Sequence, residues 1–167
     1  PTLALTRVLA ERPDPWTVPA DAPADARESM AAARAQTELL DFVSPALSAF
    51  WGRHIHMRGW VLLPPGYADA SNAGARYPTA YFTHGFGGSL PGLVRSVSQV
   101  AAAMREGSMP PMIWVFLDES SATGTHEFAD SVNHGPWGDA LVTELTPSLE
   151  ARYRMDGKAS GRLLNGH

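Results

Sequence analysis

The spacing of apolar positions changes several times along the chain, and each change marks a different kind of element. Glu38 to Val43 reads as a strand, Pro45 to Trp51 as a helical turn, and His54 to Leu63 as a longer strand. Pro64-Pro65-Gly66 closes that strand, since two prolines offer no donors for further pairing. These two strands are expected to be antiparallel neighbours. After a polar loop with Asp69, Ser71, Asn72 and Gly74 comes Thr79-Ala80-Tyr81-Phe82-Thr83, whose aromatic and β-branched residues suit a buried strand. From Leu93 to Arg105 the period lengthens, and Val94, Val97, Ala101 and Met104 fall on one face of a helix. Gly107 and Pro110-Pro111 end it. Met112 to Leu117 is then an uninterrupted apolar run, the pattern of a strand covered on both faces. Asp118 to Pro136 has no period, and so long a loop inside a compact domain is expected to be functional. Trp137 to Arg152 is helical again, with Leu141, Leu145, Leu149 and Tyr153 as an i, i+4 stripe and Pro147 as the point where it bends. Gly161 to His167 reads as a last strand.

Ahead of this alternation, Pro13, Pro15, Pro19 and Pro23 predict an extended surface segment from Glu11 to Asp25, followed by a short Ala-rich helix from Ala24 to Ala35. The organisation expected is an N-terminal extension over residues 1–37 and one α/β domain beginning at residue 38 and running to residue 167. Strands alternating with helices imply crossover connections and a mainly parallel sheet with helices on both faces. In such sheets ligands bind at the carboxyl ends of the strands. Those ends are His84 to Ser89, Asp118 to Pro136, and whatever follows His167.

Composition narrows the possibilities. The chain has 167 residues, 44% of them hydrophobic and 18% charged, as in an ordinary globular domain. An α/β enzyme with a large sheet often needs roughly 200 residues or more, so the chain is expected to be the N-terminal part of one. The net charge of −4 and the scattered Lys and Arg residues provide no basic stripe, which argues against a nucleic-acid partner. Cysteine is absent, so disulfides and thiolate metal sites do not arise. No apolar run approaches the roughly 18 residues of a membrane span. The start, Pro1-Thr2-Leu3-Ala4-Leu5, lacks the regions of a signal peptide. Because Pro rather than Met comes first, a processed or trimmed end fits an exported precursor, and the compartment stays open between export and cytoplasm.

His84-Gly85-Phe86-Gly87-Gly88-Ser89 lies between a strand and a helix, where its glycines permit a tight turn with outward-pointing N–H groups suited to an anion. A phosphate is one candidate, but the loop lacks the Lys of the P-loop and does not fit G-x-G-x-x-G. The oxyanion of a tetrahedral acyl-transfer intermediate is another. A ligand-free connector is the third. At the far end, Leu164-Asn165-Gly166-His167 matches the opening of a G-x-S-x-G nucleophile elbow, with the Ser expected immediately after His167. His54 and His56 share a strand face but have no third ligand nearby, and no metal or cofactor is expected. His84 is expected to hydrogen-bond within its own loop. His126 and His134 are read as solvated loop residues with substrate contact as the alternative. Asp118 and Glu119 are expected to order their loop through turn hydrogen bonds, a paired-carboxylate glycosidase being the alternative. Trp137 either walls a pocket for apolar substrate groups or packs in the interior.

Five segments in order carry a resemblance: Ser44 to Arg53, Val61 to Tyr67, His84 to Ser89, Gly135 to Leu141 with Glu144-Leu145, and Arg162 to His167. Together they resemble the Putative esterase family that includes esterase D and enterochelin esterase. The resemblance implies an α/β-hydrolase fold and a Ser-His-Asp hydrolase of small-molecule esters acting through an acyl-enzyme, with its triad beyond His167. Transfer of acyl groups to sugars, and a binding module lacking the Ser, are the alternatives. Only the oxyanion contribution carries over residue by residue, with the Phe86 N–H as one donor. Gly85 and Gly87 in the same turn, and Trp137 by its aromatic surface, are expected to line the substrate site, and the remainder of the polypeptide is expected to be needed for activity.

Overall fold

The computed structural model describes residues 14–121 and 124–166. Helix α1 (Ala24–Ala35) leads into strand β1 (Thr37–Val43), helix α2 (Pro45–Trp51) and strand β2 (His56–Leu62). Strand β3 (Thr79–Thr83), helix α3 (Leu93–Arg105) and strand β4 (Ile113–Leu117) form the next unit. The segment after β4 holds two minimal hairpins. In one, β5 (Ser120–Ser121) pairs with β6 (Gly124–Thr125), and in the other β7 (Asp130–Ser131) pairs with β8 (Gly135–Pro136). Helices α4 (Trp137–Ala140) and α5 (Thr146–Arg152) follow, and strand β9 (Arg162–Gly166) completes the elements.

The main sheet has the order β1-β2-β4-β3-β9. Strand β2 is antiparallel to both β1 and β4, whereas β4, β3 and β9 run parallel. Four strands therefore share one direction and only β2 is reversed. The expected antiparallel pairing of the first two strands is present, with Thr37 opposite Leu62 and Val43 opposite His56.

Every residue of β4 is buried, and its side chains alternate between two cores. Ile113, Val115 and Leu117 join Leu145, Leu149 and Tyr153 on one face of the sheet. Trp114 and Phe116 join Val94, Val97, Ala101 and Met104 of α3 on the other. Burying each large apolar side chain contributes about 1.5–3 kcal/mol relative to exposure, so this strand anchors both layers. Helices consequently cover both faces, as the uninterrupted apolar run implied.

The N-terminal segment differs from its expectation. Residues 1–13 lie outside the described part, but Trp16 is 6% exposed and meets Trp60 edge to face at 5.6 Å. The proline-rich stretch is thus not wholly superficial, because the interior rewards burial of an indole more than prolines restrict the path that delivers it. Helix α1 spans the residues expected.

Pro147 also acts differently from a simple bend. Between α4 and α5, Leu141–Leu145 forms a π-helical turn, and Pro147 falls at the start of the following α-helical segment. A proline has no N–H for the helical ladder and its ring crowds the carbonyl one turn back, so a widened turn relieves the clash. The apolar stripe survives, with Leu145 and Leu149 both buried.

Gly59 marks where β2 meets β4. A Cβ there would lie 2.3 Å from the Phe116 carbonyl oxygen. Replacing Gly59 by Ala should destabilise the intact protein by about 1–3 kcal/mol. Gly74→Ala, which adds a methyl with nothing within 4 Å, should change stability far less. Urea unfolding of the two variants beside the parent checks this, and equal midpoints for the two would show that the sheet yields at Gly59 without cost.

Candidate active site

Thr83 at the end of β3 stands in register with Leu117 of β4 on one side and Gly166 of β9 on the other. The carboxyl ends of all three parallel strands therefore lie at one rim, where ligands collect in open α/β sheets. Gly166 approaches Thr83 so closely that a Cβ would sit 2.9 Å from the Thr83 hydroxyl. His167 lies outside the described residues.

The turn after β3 is closed by the Gly88 N–H donating to the Gly85 carbonyl at 3.1 Å. Gly87, third in that turn, has φ +74°. A positive φ at this position is the mark of a type II turn, and it is why glycine stands there. Phe86, second in the turn, has a side chain 85% exposed. Its N–H has no acceptor among the described residues.

His84 holds this turn in place. The ring is buried, with Nδ1 2.9 Å from the Gly85 carbonyl oxygen and Nε2 2.9 Å from the Glu119 amide nitrogen. That pair of partners fits a neutral ring with its proton on Nδ1. Asp118 Oδ1 lies 3.1 Å from the same Nε2 and would take a proton placed there. Nδ1 bonds within its own loop, as expected, whereas Nε2 reaches across to the segment after β4, a long-range contact the expectation did not include. Gly88 is required by the same ring, because a Cβ would fall 2.4 Å from His84 Nδ1.

Asp118 also accepts from the Ser120 N–H at 3.1 Å, the turn-ordering role expected of it. Glu119 is buried, and loss of hydration pushes its carboxyl above the usual range despite the neighbouring His84 and Thr83. Its Oε1 has no hydrogen-bond partner among the described residues.

His126 departs from the reading of a solvated loop residue. It is 3% exposed, stacked on Trp137 at 3.6 Å and 9°, with Phe128 edge-on at 4.7 Å. Nδ1 accepts from the Phe128 N–H at 3.2 Å, which leaves the proton on Nε2. Burial pushes the imidazole down to about 4, against the opposing pull of Asp118, so the ring is neutral at physiological pH. The flanking aromatics Phe128 and Trp137 were the available sequence hint, but only folding brings Trp137 over the ring. Glu127 and Phe128 adopt left-handed backbone, at φ 52° and 50°, which costs energy for side chains with a Cβ and fixes the path of this loop.

A second device ties the loop to α2. Trp51 Nε1 and Trp137 Nε1 both donate to the His134 carbonyl, at 3.1 and 2.9 Å. Glu144, in the π-helical turn, accepts from the Ser44 hydroxyl and from the Ala46 N–H, gripping the start of α2. Gly135, at φ +93°, lets the loop pass against Phe50, which a Cβ would approach to 3.0 Å. Trp137 is 7% exposed, so it packs in the interior and also forms wall.

Beside these tryptophans opens a cavity of about 370 Å³, bounded by Trp51, Arg53, His54, His56, Asp118, His126 and Trp137 among others. His54 precedes β2 rather than belonging to it, and His56 Nδ1 is paired with Asp41. Asp118 touches both the cavity and His84, so cavity and glycine turn share a residue.

Comparison with known families matches the Putative esterase description over residues 48–167. The chain belongs to this family. Solved structures of similar fold include a ferulic acid esterase with TM-score 0.64 and 19% identity, where the match covers 78% of this chain and 50% of that one. A fluorophosphonate-binding serine hydrolase from Staphylococcus aureus gives 0.58 and 14%, covering 78% and 46%. An S-formylglutathione hydrolase from Agrobacterium tumefaciens gives 0.56 and 14%, covering 78% and 48%. The chain thus spans about half the length of the solved structures it matches. Comparison with curated proteins finds no match. The fold is that of the α/β-hydrolase esterases, as its motifs implied.

The burial of His126 sets a pH dependence. An unfolded histidine binds a proton near pH 6.5, whereas the folded one does so only near 4. Between these values the unfolded state carries the extra proton, so this residue's stability is fully present above pH 6.5 and is lost as pH falls towards 4, by up to about 3 kcal/mol. Urea unfolding at pH 7 and pH 4.5 should therefore show a smaller difference in His126→Phe than in the parent. Equal differences in the two proteins would contradict the burial of an unprotonated ring.

Proposed function

We propose that the intact protein is a serine carboxylic-ester hydrolase that works through an acyl-enzyme. The observation that carries this reading is the unpartnered Phe86 N–H, in a glycine turn at the end of β3, on the rim where β9 also ends beside Thr83. Family membership and solved relatives named as esterases support it.

In this mechanism a Ser immediately after His167 attacks the ester carbonyl, and a His supplied by the remainder of the polypeptide takes its proton and passes it to the leaving alcohol. Negative charge gathers on the carbonyl oxygen between β3 and β9. The Phe86 N–H and the amide after the nucleophile stabilise it, and because the turn is already fixed by His84, no reorganisation is needed as charge develops. Water then releases the acid. Gly85 supplies the carbonyl that closes the turn, Gly87 the left-handed residue within it, and Trp137 an aromatic wall. The names of the relatives make carboxylic and thiol esters the substrates to assay first.

Phe86→Pro is a focused test, because proline is well suited to the second position of a type II turn yet has no N–H. In the intact protein kcat should fall on the order of 10²–10³-fold with KM little changed. Phe86→Ala, which keeps the amide, should lose far less. A fluorophosphonate probe should label the native protein at the Ser after His167. Absence of labelling, or equal kcat in the two Phe86 variants, would count against the mechanism.

A further inference from the structure

We infer that the cavity walled by Trp51 and Trp137 binds a carboxylate-bearing aromatic end of the ester substrate, with Arg53 selecting the acid. The inference rests on the ester-hydrolase reading for what the ligand is attached to, but the binding site itself is argued from the residues around it.

Charge on the cavity wall is unevenly balanced. Asp41 engages both His56 and Arg58, the latter at 3.5 Å, and Asp118 is occupied with His84. Arg53 has no ion-pair or hydrogen-bond partner among the described residues, and His54 beside it has none either. One unpaired guanidinium is matched by a single carboxylate, which it can meet with two parallel N–H donors. A phosphate dianion would bring a second negative charge towards Asp118, which also faces this space.

The walls suit a ring. Trp51 is 41% exposed and Trp137 is fixed beside it, both indoles held by the one His134 carbonyl. Bound in this way they form a rigid apolar surface, with little side-chain entropy left to lose on binding. The neighbourhood of Arg53 is equally constrained. Gly52 ends α2 at φ 63°, and the Ile55 N–H donates to the Ser48 hydroxyl at 3.0 Å, so residues 53 and 54 are presented at the start of β2. The volume, about 370 Å³, lies within the range of small-molecule sites.

Strand spacing gives the reach. Adjacent strands lie about 4.8 Å apart, and a carbonyl held between β3 and β9 is one and a half spacings from the end of β4 and two and a half from the start of β2. The acid would therefore stand roughly 7–12 Å from the scissile carbonyl.

Calorimetry on the intact protein tests the site without turnover, using 2-naphthoate and its neutral counterpart 2-naphthamide. The acid should bind at least tenfold more tightly, and that preference should disappear in Arg53→Gln and partly return in Arg53→Lys. Arg95→Gln, a change on α3 away from the cavity, should keep it. Equal binding of acid and amide, or an unchanged preference in Arg53→Gln, would overturn the inference. A kinetic arm uses aryl esters bearing a carboxylate or a carboxamide 7–12 Å from the carbonyl, where the acid should have the lower KM and Arg53→Gln should remove the difference. If naphthoate is selected but neither ester is cleaved and no fluorophosphonate label appears, the hydrolase reading fails while the anion site stands. Cleavage of both esters with identical KM overturns the anion site and leaves hydrolysis intact.

Discussion

Strand β4 has no polar side to offer water, and much of the architecture follows from accommodating it. Ile113, Val115 and Leu117 need apolar partners on one face, Trp114 and Phe116 on the other, and a single helix layer could satisfy only one set. The strand is therefore placed inside the sheet, between β2 and β3, with α3 covering one face and α4 and α5 the other. Gly59 permits the close approach of β2. Once β3, β4 and β9 lie parallel and in register, their carboxyl ends share a rim, and the rim becomes the place where chemistry can be assembled.

What assembles there is held by buried polar groups rather than by apolar packing alone. His84 bonds to its own turn and to the backbone of Glu119, and Asp118 links that ring to the cavity. Glu119 and His126 are both kept from water, and each is driven towards its neutral form by that loss of hydration. A rim in which titratable groups are displaced from their ordinary ranges is common at sites of reaction. In this protein the same displacement also makes loop order sensitive to acid, since protonating His126 would place a cation where water does not reach it.

The α2 helix shows how distant positions act on that rim. Glu144 sits in the widened turn that accompanies Pro147, and from there it grips the start of α2 through Ser44 and Ala46. The other end of α2 carries Trp51, whose indole meets the same His134 carbonyl as Trp137. Helix geometry imposed by one proline is thus connected, through a carboxylate and a seven-residue helix, to the wall of a cavity.

Local pattern was enough to place the five strands of the main sheet and with them the antiparallel start, the covered character of Met112 to Leu117, and a glycine turn at a strand end, though not the two minimal hairpins between Ser120 and Pro136. Those features depend on residue periodicity, on missing prolyl donors and on the backbone freedom of glycine, all of which act over a few neighbouring residues. The order of five short motifs went further and gave the family. Tertiary structure decided the burial of Trp16 and His126, the use of Pro147 in a π-helical turn, and the convergence of Trp51, Arg53 and Asp118 around one cavity. Each of these joins residues from separate elements, and the free energies involved, loss of hydration and contact across packed layers, have no counterpart in local sequence spacing.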